Sequence, residues 1–149
     1  GFVLGAALAT RLGVGLLPIR KAGKLCVETD SVSFVNYSGR VQDMEMRQPA
    51  FQAGTRVMLV DLWIESGGTM TGAIELIKRQ GGTVAGIVAV AIEENDVTNA
   101  LRYDYLCVAA VSKNSAWQAQ CNGQYLDSFA NYSPELAFPN SSKATQSNL

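Results

Sequence analysis

Apolar and polar positions along this chain change period several times, and each change marks an element. Phe2, Ala6, Ala9 and Leu12 form a partial stripe at helical spacing that stops at Gly13, which predicts a helix. Residues 14–19 read as a strand, ended by Pro18 and a basic cluster. Residues 31–35 alternate, Asn36-Tyr37-Ser38-Gly39-Arg40 is a turn signal, and a second alternating run reaches Met46, which predicts a hairpin. Residues 49–54 are a linker, and residues 56–61 are the next strand. Met70, Ala73, Ile74 and Ile77 then recur at helical spacing, with Gly81-Gly82 as the stop. Residues 83–92 are a continuous apolar run of the kind buried on both faces of a parallel sheet. A short helix over 96–101 and a strand over 105–111 complete the pattern. Strand–helix–strand alternation predicts an α/β fold, with a parallel twisted sheet, flanking helices and right-handed crossovers. Residues 1–111 form the core on this reading, and residues 112–139 extend it. Residues 140–149, rich in Asn and Ser, are a disordered tail.

At 149 residues the chain can bury one sizeable core, and 48% hydrophobic with 17% charged residues suits a globular domain. A net charge of −1 supplies no basic excess for releasing counterions, so no nucleic-acid partner is expected. The apolar opening is interrupted by Thr10, Arg11 and glycines, which fits neither a membrane span nor a signal peptide. Cys26, Cys107 and Cys121 are odd in number and lack a Cys-x-x-Cys pair, so a reduced, cytoplasmic chain is expected. The absence of histidine removes Ser-His-Asp and Cys-His catalysis, most zinc sites and any histidine switch.

The densest chemistry lies in residues 57–69. An apolar strand carries Asp61 at its carboxyl end, and Ser66-Gly67-Gly68-Thr69 opens the amphipathic helix. Such a turn cradles an anion: glycines allow close backbone approach, and free amides at the positive end of the helix dipole point at the ligand. It matches neither the Gly-Lys-Ser/Thr ending of a P-loop nor the Gly-x-Gly-x-x-Gly of dinucleotide sites.

At these residues the chain resembles the type I phosphoribosyltransferases, whose signature is a hydrophobic strand, two acids and a Thr-Gly-x-Thr turn. Gly1-Phe2-Val3-Leu4-Gly5 and Arg20-Lys21-Ala22-Gly23-Lys24-Leu25 are similar to the adenine branch of that family, and the resemblance covers roughly residues 1–110. It implies transfer of phosphoribosyl from phosphoribosyl pyrophosphate (PRPP) to a purine, with release of pyrophosphate. Adenine ranks first and hypoxanthine or guanine second. Ser66, Gly67, Gly68 and Thr69 would hold the 5′-phosphate. Asp61 would hold the ribose hydroxyls and is the candidate ligand for the magnesium ion that accompanies PRPP. Arg20, Lys21 and Lys24 would meet the pyrophosphate near a partner subunit, so a homodimer is implied. Asn36 and Tyr37 would lie in a mobile flap. The implied ligands are PRPP and a purine base or nucleoside monophosphate.

Three departures matter. Leu62 stands where the family has a second acid, and Asn36 where a Glu is typical; Asn hydrogen-bonds but takes no proton at neutral pH. Glu65 is an acid where the adenine branch has a small residue, as the hypoxanthine–guanine branch has an Asp close to the purine N7. Glu65 therefore reads either as a proton-handling group or as a solvent-facing loop carboxylate. Trp63 reads as a core anchor or as part of the base site. The hood that covers the base in the family is built partly from residues ahead of Gly1, so the chain reads as a fragment or a shortened form. Two other readings remain: a catalytically impaired PRPP- or nucleotide-binding relative acting as a regulator or interaction module, and a structural paralogue.

Overall fold

The computed structural model describes residues 1–36 and 38–114. Tyr37, most of the expected carboxyl-terminal extension and the whole expected tail lie outside the described residues. Helix α1 (Phe2–Leu12) forms and ends on Gly13 in the left-handed conformation, as expected, but of its stripe only Ala9 is buried, while Phe2, Ala6 and Leu12 are exposed. The expected strand over residues 14–19 does not form; β1 (Ile19–Lys21) starts at its last position and runs into the basic cluster expected to end it, because only Ile19, Arg20 and Lys21 find a ladder partner, opposite Met46, Glu45 and Met44. The hairpin forms from β2 (Thr29–Val35) and β3 (Val41–Arg47), and the antiparallel sheet runs β1-β3-β2.

A second sheet is parallel, in the order β4-β5-β6. Its strands are β4 (Arg56–Ile64), β5 (Thr83–Glu94) and β6 (Cys107–Asn114). β4 runs three residues past the expected end at Asp61, since Trp63 and Ile64 stay in register with Ala91 and Ile92. β6 likewise continues past residue 111 to Asn114, pairing with Glu94. The crossovers are α2 (Gly68–Arg79) and α3 (Asp96–Asp104).

α2 organises the core. Its buried side chains Met70, Ala73, Ile74, Leu76 and Ile77 share one cluster with Val32, Met44 and Met46 of the antiparallel sheet. The same cluster takes in Leu59, Ile64, Ile87, Ala89 and Ile92 of the parallel sheet. The helix therefore lies between the two sheets. Gly72 lets it come close: a Cβ there would sit 3.0 Å from the Met44 side chain and 3.3 Å from Phe34. At its far end Arg79 pairs with Asp30 at 2.9 Å and donates to the Ser31 carbonyl at 2.9 Å, fixing the root of the hairpin to the helix. No helix among the described residues is long and apolar enough to cross a membrane.

Candidate active site

The site is built where β4 passes into α2. Asp61 is half-buried at register with Ala89, and its Oδ1 accepts the Leu62 amide at 2.7 Å. The start of α1 packs on it, since a Cβ on Gly1 would lie 3.1 Å from the same oxygen. The Leu62 side chain, in the second-acid position, is 52% exposed and apolar, so only its backbone amide reaches Asp61.

Gly67 is the N-cap of α2 at φ 84°, and no side chain caps the helix or places an acid in its first turn. The first backbone bond into the helix is Thr71 N–H to the Gly67 carbonyl at 2.9 Å. The amides of Gly68, Thr69 and Met70 therefore have no acceptor within the helix, which is the condition for holding an external anion. Thr69 is exposed beside them, whereas the Thr71 hydroxyl is turned back onto the Gly67 carbonyl at 3.0 Å.

Two contacts that sequence reasoning does not reveal shape this turn. A Cβ on Gly67 would come within 2.7 Å of Val97 Cγ1 on α3, so glycine is required there for packing as well as for its positive φ. At Gly68 the Cβ position is taken by the Val35 carbonyl oxygen, so the hairpin backbone rests on the start of α2. A cavity of about 420 Å³ opens alongside, lined by Phe34, Val35, Asn36, Ser66, Gly68 and Glu75 among others. Asn36 and the turn thus share a cavity. Asn36, however, uses its Oδ1 locally: it accepts from the amides of Ser38 and Arg40, each at 3.0 Å, and from the Ser38 hydroxyl at 2.8 Å.

Glu65 is held from the far side. Its carbonyl accepts from Asn95 Nδ2 at 2.8 Å, while Asn95 Oδ1 caps α3 by accepting the amides of Val97 and Thr98. Thr98 is fully buried, and its hydroxyl donates to the Glu93 carbonyl at 2.6 Å. Glu93 is itself buried and accepts the Trp63 indole N–H at 3.0 Å. Partial burial, reinforced by the nearby Glu93 carboxylate, pushes the Glu65 carboxyl above its ordinary value. Trp63 is half-buried.

Arg20, Lys21 and Lys24 are exposed at the β1 end and its loop. The Arg20 guanidinium lies over the Phe2 ring of α1, 5.8 Å from its centroid. Beneath the loop is a residue that no sequence signal marks. Glu45 of β3, only 5% exposed, accepts the amides of Gly23 at 2.9 Å and of Lys24 and Leu25 at 2.7 Å each. The bond from Gly23, supported by those from Leu25 and Lys24, holds its carboxyl below the ordinary range against the opposing effect of burial. Among the described residues no group of three or more His, Cys, Asp or Glu side chains could hold a metal ion.

No protein-family profile matches the chain. It is 46% identical over 90 residues to the adenine phosphoribosyltransferase of Neisseria meningitidis serogroup B, a span covering 60% of this chain and 47% of that protein. Among solved structures it superposes on adenine phosphoribosyltransferase from Thermoanaerobacter pseudethanolicus with a TM-score of 0.68 and 34% identity. That match covers 76% of this chain and 64% of the other. The Saccharomyces cerevisiae enzyme, solved with an imino-altritol bisphosphate and adenine, matches with a TM-score of 0.65 and 29% identity, over 74% and 61% of the two chains. The fold is thus α/β and type I phosphoribosyltransferase-like. Within that class the chain is similar to adenine phosphoribosyltransferases, and it spans about half the length of the curated relatives it matches.

Proposed function

We propose that this chain carries the PRPP-binding core of a purine phosphoribosyltransferase that acts on adenine first and releases pyrophosphate. The observation that carries the reading is the uncapped start of α2, with no first-turn acid, at the carboxyl end of a parallel strand that bears Asp61. In this reading the amides and hydroxyls of residues 66–69 bind the 5′-phosphate, and Asp61 orients the ribose hydroxyls. Arg20, Lys21 and Lys24 neutralise the departing pyrophosphate. Magnesium enters with PRPP as part of the substrate. One carboxylate, Asp61, suits a hard cation that keeps most of its ligands from phosphate and water. Glu65, with its raised carboxyl, holds a proton more readily than an ordinary glutamate and faces the base as a general acid. A carboxyl group there also supports hypoxanthine or guanine as second-rank bases.

The test uses Thr69→Asp. Position 69 is exposed in the first turn of α2, where an acid favours the helix dipole, so the fold is retained. The added charge repels a phosphate. Calorimetric titration with AMP or PRPP and magnesium should lose at least about tenfold in affinity at unchanged or raised thermal stability. Unchanged affinity moves the phosphate elsewhere.

A second reading, a nucleotide-binding relative of impaired turnover, is favoured by Leu62 and by Asn36, whose acceptor oxygen is committed to its own turn. Nucleotide binding without pyrophosphate release, across a panel of bases, would select it. We also propose a homodimer, supported by the exposed apolar side chains Phe2, Val3, Leu12, Val14 and Leu16. Sedimentation at the 15.9 kDa of one chain would remove it.

A further inference from the structure

We propose that Glu45 is a positioning residue for pyrophosphate: its carboxylate stands in for an anion at the backbone amides of residues 23–25 and so fixes the side chains of Arg20, Lys21 and Lys24 outward. The inference rests on the reading of those three cations as the pyrophosphate site.

Three consecutive amides converging on one carboxylate form an anion-binding concavity. Here that concavity is filled from within, with Oε2 taking Gly23 and Oε1 taking both Lys24 and Leu25. Thr29 adds its hydroxyl to Oε2 at 3.4 Å. The loop's backbone is therefore committed, and a ligand meets only its side chains. Glu45 also lies directly opposite Arg20 in the β1–β3 register, with both side chains on one face of the sheet. Its oxygens nevertheless serve the loop amides, while the Arg20 guanidinium is placed over Phe2. One buried carboxylate on the central strand thus organises the loop. The positive charges above it remain for a ligand of opposite sign, and inorganic pyrophosphate is the simplest such ligand.

The test compares Glu45→Gln with Lys24→Gln in the full chain. A carboxamide offers one acceptor oxygen, so its NH₂ must face part of the converging amides. Two readouts are taken: amide hydrogen exchange at residues 23–25, and affinity for pyrophosphate with magnesium set against affinity for AMP. In Glu45→Gln the exchange should accelerate and pyrophosphate affinity should fall about tenfold, with AMP affinity kept within about twofold. Unchanged exchange, or faster exchange with unchanged pyrophosphate affinity, overturns the proposal. If Lys24→Gln also leaves pyrophosphate affinity unchanged, it is the reading of the basic loop that has failed. A wild-type chain with no pyrophosphate affinity removes both. If Glu45→Gln does not fold, Gly23→Ala serves instead. It keeps the carboxylate but strains a turn at φ 79° with open space around it, and the same loss of pyrophosphate affinity alone is required.

Discussion

The carbonyl oxygen of Val35 occupies the space that a Cβ on Gly68 would need. The hairpin backbone therefore rests on the first residue of α2, and glycine at 68 is a steric requirement set by a strand more than thirty positions away. Gly68→Ala should destabilise the chain by about 1–3 kcal/mol in urea unfolding, because backbone rather than a flexible side chain must yield. Amide exchange in β2 near Val35 should accelerate in the same variant. Val35→Ala, which leaves that carbonyl in place, should not reproduce this pattern.

Gly67 meets a side chain where Gly68 meets backbone. Gly67→Ala combines a left-handed conformation, costing about 1–2 kcal/mol, with the contact against Val97 Cγ1. Shortening Val97 to Ala in the same chain should recover the steric part alone, giving a coupling of roughly 0.5–3 kcal/mol in a double-mutant cycle. Strict additivity would show that the contact is not made. It follows that lost phosphate affinity in a Gly67 variant reports α3 packing as much as ligand binding, which is why Thr69 is the better test position.

Glu65 should show opposite effects on stability and turnover. Its folded carboxyl lies above the ordinary 4.5, chiefly through desolvation and then through Glu93. The folded state thus holds the proton more tightly than the unfolded chain does. That contribution to stability is whole below pH 4.5 and is lost as pH rises through the folded value. At neutral pH the ionised carboxylate burdens the fold, so Glu65→Gln should raise the melting temperature there by about 2 °C and leave it unchanged in acid. If Glu65 handles the base proton, turnover should fall by roughly one to three orders of magnitude, with PRPP affinity within a few-fold. Equal losses in both would assign Glu65 to the donor site.

Glu45 should behave in the reverse sense. Its folded carboxyl ionises below the ordinary 4.5, mainly because of the Gly23 amide. The stability this supplies is complete above pH 4.5 and is lost as pH falls through the folded value. Urea midpoints taken from about pH 6 to about pH 3 should decline, and Glu45→Gln should flatten that decline. An identical slope in the variant would mean that other carboxylates carry the acid sensitivity.

What the sequence revealed depended on how local the cause was. α2 announced itself through Met70, Ala73, Ile74 and Ile77, and the end of α1 through Gly13, because periodicity and caps lie within a few residues. The apolar run of β5 likewise marked a strand, although only the face of Ile87, Ala89 and Ala91 is fully buried and Val90 on the other face is 41% exposed. The strand expected over residues 14–19 failed because a ladder needs a partner, and only residues 19–21 have one. α3 extends to Asp104 behind an Asn95–Thr98 capping box that the apolar pattern does not record. In the site, the glycine turn was legible as a motif. Its contacts with Val97 and Val35, and the clasp of Glu45 on residues 23–25, join positions twenty or more apart and leave no local trace.

β2 has seven residues and α2 has twelve. At about 3.3 Å and 1.5 Å of rise per residue, the two are of similar length, roughly 20 Å. Asp30 is fastened to Arg79 at one end, and Val35 abuts Gly68 at the other. Strand and helix therefore act as a matched gauge, in which the count of residues between two fixed points sets where the hairpin backbone meets the turn. A single residue inserted within 31–34 would leave the Arg79 anchorage in place and carry Val35 one strand step beyond Gly68. The mouth of the turn would then be set by arithmetic along the strand, with every residue of the turn unchanged.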